Sequence, residues 1–252
     1  RNQWNTIEDS PKTTGLSYSI SRSNNVGLGI SIISDKIFIE NQTMLMIDFS
    51  YKLTLSNDGV IFLGIKGGGN SYNADPTPLV GFTDIPDPAQ KSLSRFNPNM
   101  GVGFLFKMGG VWFSGSLPRM FNTKRDEDIE IQSRNRIHIY LAGGAHFNIT
   151  KDFSVSPNLM YRKGKGLPNS IDFGSWVSYL NKFNLGISFK SGSVFSFLTS
   201  VGLGENLSIG YAYDTYRNAT LSGLKLNGHE LAIRFNLGEA SKKIVEQESA
   251  EE

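Results

Sequence analysis

The chain has 252 residues, 39% hydrophobic and 12% aromatic, with 27 Gly and a net charge of +2 from 25 basic and 23 acidic residues. That balance gives no electrostatic case for binding nucleic acid, and the lack of any Cys excludes disulfides and thiolate-held metals. No run approaches the roughly 20 apolar residues that a membrane-spanning helix needs. The mean hydropathy of −0.23 is nevertheless compatible with a membrane barrel, which hides its apolar content in alternation.

Taken in chain order, alternation of apolar and polar residues predicts strands over residues 15–22, 25–32, 45–55, 59–67, 100–106, 111–116, 136–149, 153–162, 170–179, 183–189, 194–203, 208–216 and 229–237, thirteen in all. The third strand is the clearest. Leu45, Ile47, Phe49, Tyr51, Leu53 and Leu55 share one face, and Met46, Asp48, Ser50, Lys52 and Thr54 share the other, because successive side chains of a strand point to opposite sides. The last strand repeats this, with His229, Leu231, Ile233, Phe235 and Leu237 set against Glu230, Ala232, Arg234 and Asn236. One face suits lipid and the other suits water.

The connections fall into two alternating classes. Short ones at residues 23–24, 56–58, 107–110, 150–152, 180–182 and 204–206 carry the Gly, Asn and Asp of tight hairpins. The others are residues 33–43, 68–99, 117–135, 163–169, 190–193 and 217–227, mostly long. Outer-membrane barrels keep short periplasmic turns and long external loops. The expected fold is therefore an all-β antiparallel transmembrane barrel over residues 1–238, with the long loops extracellular and the C-terminus periplasmic. Residues 239–252, with five Glu, read as a charged periplasmic tail. Single-chain bacterial barrels have an even number of strands, so parity expects a strand upstream of Arg1 and fourteen when complete. Arg1-Asn2-Gln3-Trp4 shows no Met and no signal core, and an export signal is expected to have been removed. The competing fold is a soluble sandwich.

Chemistry is sparse. His138 and His146 lie eight residues apart on one strand face, a span of about 26 Å, so they share no ion. No nucleophile-elbow pattern marks any Ser, and the Gly-rich pieces lack the following helix of a phosphate-binding turn. No catalytic residue, cofactor or metal is expected. Asp48, Lys52, Arg162, Asp214, Glu230 and Arg234 fall on the polar strand faces and are candidate lumen charges, serving either to bind or restrict, or to brace the barrel with ion pairs. Residues 68–99 and 117–135 are the two longest connections and carry apolar residues: Leu79, Val80, Phe82 and Ile85 on the first, Met120, Phe121, Ile129 and Ile131 on the second. Apolar residues on exposed loops need covering, by a self-packed lid or by a partner, and these eight are the candidate partner-binding residues.

Particular segments resemble the PorP/SprF family of outer-membrane proteins associated with type IX secretion and gliding motility. Arg1-Asn2-Gln3-Trp4 with Ile7 and Pro11-Lys12-Thr13 is similar to the family's N-terminal signature, although Asp9-Ser10 stands where Gly-Ala is more usual. Gly115-Ser116-Leu117-Pro118 and Tyr140-Leu141-Ala142-Gly143-Gly144 look like its middle. Residues 185–192, Ile209-Gly210-Tyr211-Ala212-Tyr213-Asp214 and Gly228-His229-Glu230 look like its C-terminal third. The resemblance implies a non-enzymatic accessory component. Its implied partners are outer-membrane lipid, a secreted adhesin or its C-terminal domain, and periplasmic secretion or gliding components. The barrel alone leaves a general porin as the alternative, and Ser beside His leaves an outer-membrane enzyme as a third.

Overall fold

This computed structural model describes residues 1–4, 9–21, 25–56, 58–75, 93–121, 123–124, 134–135, 137–164, 168–191, 194–216 and 227–237. Every regular element among them is a strand: β1 (Asn2–Gln3), β2 (Lys12–Ser21), β3 (Val26–Ile37), β4 (Glu40–Thr54), β5 (Gly59–Ala74), β6 (Leu93–Met108), β7 (Val111–Leu117), β8 (Thr123–Lys124), β9 (Arg134–Asn135) and β10 (His138–Ala145). Seven more follow: β11 (Phe147–Asn148), β12 (Phe153–Gly164), β13 (Ser170–Tyr179), β14 (Phe183–Lys190), β15 (Val194–Leu203), β16 (Leu207–Tyr216) and β17 (Asn227–Phe235). Antiparallel pairing runs from β1 through β7 to β10, then from β12 through β17 and back to β1, closing a ring; β8 and β9 form a separate ribbon. β11 continues β10 along β12. The break between them falls opposite Pro157, which has no N–H for the ladder. The ring thus has fourteen positions, thirteen filled by long strands and one by the two residues of β1.

Burial is inside out. Leu16, Ile47, Ile187 and Leu231 on the outward face are each more than 60% exposed, and Met46 and Tyr72 are the only buried apolar side chains among the described residues. A soluble sandwich places its alternating apolar residues between two sheets, so this distribution excludes it. The belt belongs against hydrocarbon, where a closed barrel satisfies its backbone groups between strands.

Among the described residues, tight turns at 109–110, 149–152, 180–182 and 204–206 sit at one end. Gly109 and Gly110 make one of them, with φ of 53° and 78°, a region open to Gly without a Cβ clash. The other end is uneven, and here two expected connections shrink. Residues 33–43 form no long loop: β3 runs to Ile37, β4 starts at Glu40, and Phe38 and Ile39 alone make the turn, Phe38 at φ 52°. Likewise 68–99 narrows to residues 75–92 between β5 and β6. The strands β4, β5 and β6 have 15, 16 and 16 residues, against the 9–11 that span a bilayer. Their excess of about five residues, roughly 15 Å of strand, raises one side of the rim into a wall.

A seam lies between β2 and β17. Asn2 pairs with Lys12 on one side and His229 on the other, which sets the two edges two strand spacings apart. Beyond Asn2, residues 14–21 of β2 and 230–235 of β17 face each other with no strand between them among the described residues.

Candidate functional site

The rim carries the most specific packing. Asn99, 4% exposed on the inward face of β6, places its Oδ1 to accept from the backbone N–H groups of Met100, Met120 and Phe121 at 3.0, 3.1 and 3.3 Å, while its Nδ2 donates to the Phe121 carbonyl at 2.9 Å. Leu117 lies opposite Val102, and Met120 N–H donates to Met100 O at 2.8 Å. Three residues on the β7 side thus span two on the β6 side, which is a β-bulge. The bulge carries the Pro118 carbonyl over Gly101, where a Cβ would meet that oxygen at 2.5 Å; only Gly fits there. The bulge aims Met120 and Phe121, 36% and 50% exposed, onto the rim beside the raised wall. Of the eight residues expected to bind a partner, these two are described. Leu79, Val80, Phe82, Ile85, Ile129 and Ile131 lie outside the described residues.

Inward-facing positions hold the charges. Asp48 meets Lys66 at 3.3 Å, and Asp214 meets Arg1 at 2.7 Å, with Glu230 4.0 Å from the same guanidinium. Ser196 Oγ donates to Asp214 at 2.6 Å, and Arg1 donates to Tyr216 Oη at 3.2 Å. The Trp4 ring meets Tyr216 edge-on, and its backbone N–H donates to Asn227 O at 2.7 Å. Together these contacts close the ring at its loop end. Lys52, Arg162 and Arg234 take inward positions opposite Phe62, Tyr140 and Ser208. They are not brought onto Asp48, Asp214 or Glu230; Lys66 and Arg1 hold those carboxylates, and sequence reading missed both. The β4–β5 register is what sets Lys66 opposite Asp48.

One arrangement invites a catalytic reading. His146 lies between Ser156 Oγ, 2.8 Å from Nδ1, and Asn148 Oδ1, 3.1 Å from Nε2. A hydrolase also needs donors for the developing oxyanion, one of which is commonly the backbone N–H that follows the nucleophile. Here that residue is Pro157, which has none. The trio is a polar clasp between β11 and β12 beside the short turns. No cluster of metal-ligating groups occurs among the described residues.

The chain thus forms a fourteen-position barrel with an apolar outer belt, a polar interior and one raised rim. Residues 1–235 match the family model described as type IX secretion system membrane protein PorP/SprF. The chain belongs to this family. PorP/SprF membership makes the barrel an outer-membrane one and places it among the membrane components of type IX secretion. No curated protein matches the chain. Among solved structures, the NanC porin in a rhombohedral crystal form is similar, with 10% identity, a TM-score of 0.45, and coverage of 92% of this chain and 96% of the porin.

Proposed function

We propose that this barrel is a non-enzymatic outer-membrane component of the type IX secretion and gliding apparatus. In this reading it holds an exported adhesin, through the adhesin's C-terminal domain, at its raised rim, and meets periplasmic parts of the machinery at its short-turn end. The orientation follows the rule that external loops are long and periplasmic turns short. The observation that supports the reading is the rim itself: three strands continue well past membrane length, and Asn99 fixes exposed Met120 and Phe121 beside them. A conduction device has no need of such a wall, and exposed apolar groups held on a rigid frame are what a docking surface requires. Deleting residues 76–90 is expected to leave a folded, inserted barrel and to abolish display of the adhesin at the cell surface. Normal display by that mutant overturns the docking role.

A second reading, a small-solute channel, is supported by the small inward side chains of β2–β7, among them Ser17, Ser19, Gly27, Gly29, Ser50, Gly64 and Gly103, which leave hollows of about 380 and 270 Å³ around Asp48. Open conductance across a planar bilayer would favour it; a silent bilayer favours the docking reading.

A further inference from the structure

The outward belt is rich in large side chains, and a hollow opens in it on β13–β16. Ser175 stands beside Ile187, which neighbours Phe197 and then Tyr213; Val177 stands beside Leu185, which neighbours Thr199 and then Tyr211. The small Ser175 and Thr199 leave a trough of about 560 Å³, walled by Val177, Leu185, Ile187, Phe197 and Tyr211, within the range of small-molecule sites. Its polar-tipped rings gather at one end. Toward the raised rim, Tyr211 Oη lies 2.7 Å from His229 Nδ1, and the Tyr213 ring lies 5.2 Å from the imidazole, so three polar-tipped rings cluster on an otherwise greasy face. With Nδ1 engaged by the phenol, Nε2 is the imidazole's remaining polar atom.

An apolar trough inside the membrane band, capped at one end by polar groups, has the asymmetry of a single amphiphile lying along it. We propose that this trough binds one acyl chain of a membrane lipid whose headgroup lies against Tyr211 and His229. Under the orientation proposed above the lipid belongs to the outer leaflet; the site itself rests only on the barrel spanning a membrane. The chain is held by close packing of its methylenes against Leu185, Ile187 and Phe197, because in a bilayer the alternative is other lipid and not water. Selectivity therefore comes from the concave shape and from the headgroup contact with the imidazole.

The test is native mass spectrometry of the purified barrel titrated with dipalmitoyl phosphatidylethanolamine. Wild type is expected to retain one tightly held lipid. Thr199→Trp, which fills the floor, should lower that adduct about tenfold, since an overfilled site accepts no chain. His229→Ala should lower it severalfold, and Ile47→Trp, elsewhere on the belt, should leave it unchanged. Circular dichroism confirms that each variant folds. An unchanged adduct in Thr199→Trp overturns the proposal, as does a dominant two-chain species in place of the lipid adduct, because a second copy would then be the occupant. Adhesin display by Thr199→Trp is expected to be normal, which separates this site from the docking role.

Discussion

Replacing Ile47 by Arg tests the assignment of faces most sharply. Ile47 points outward from β4 between Ile30 of β3 and Gly67 of β5, and it is 61% exposed. A guanidinium at that position meets hydrocarbon with no acceptor. For an outward Arg near the bilayer midplane the cost is about 2–4 kcal/mol, which at about 1.4 kcal/mol per decade is roughly a 30- to 1000-fold shift toward the unfolded state. Ser50→Arg, on the inward face of the same strand, lies beside Asp48 and lines both hollows of the interior, and is expected to stay within about 0.5 kcal/mol of wild type. Urea unfolding in phospholipid vesicles, followed by the fluorescence of Trp4, Trp112 and Trp176, measures both. A loss in Ser50→Arg equal to or greater than that in Ile47→Arg would show that the faces are reversed.

Other expectations follow from the seam, the rim and the interior. Leu16→Cys with Ile233→Cys should form no disulfide under oxidation, because a strand width separates those positions at about 9.5 Å, beyond the roughly 7 Å limit of a bridge; rapid crosslinking on a non-reducing gel would mean a thirteen-strand ring. Asn99→Leu strands the backbone N–H groups of Met100 and Phe121, Met120 N–H keeping its bond to Met100 O, and should destabilise the barrel by about 2–4 kcal/mol, with greater protease sensitivity near Arg119; an unchanged urea midpoint contradicts the stitching role. Exchanging Asp48 and Lys66 as a double mutant should restore most of whatever either single reversal loses, at most about 1 kcal/mol for so exposed a pair. Failure of the double reversal to recover would place these charges out of contact.

The strands inside the bilayer were legible in the sequence because lipid on one side and water on the other force alternation on every residue, as between Leu45 and Leu53. Above the bilayer that pressure ends. Residues 33–43 mix Ile, Ser, Asp, Lys, Glu and Asn and read as a loop, yet their backbone continues the same ladder up to a two-residue turn. Charge partners were legible only as to face. Asp48 and Lys52 share a strand four residues apart, about 13 Å, so the partner had to come from a neighbour, and single-strand patterns do not give the register between strands. The Asn99 stitch and the bulge over Gly101 were invisible for another reason: a bulge adds one residue to one strand and carries no composition signature.

Photo-crosslinking in intact cells tests the central claim most directly, with the label placed at Phe38 and Phe121 on the raised rim and, for comparison, at Lys151 and Lys182 in the short turns. The account predicts crosslinks from Phe38 and Phe121 to the adhesin's C-terminal domain, and from Lys151 and Lys182 to periplasmic proteins alone. Crosslinks to the adhesin from the short turns only, in cells that display it normally, would contradict both the orientation and the docking role.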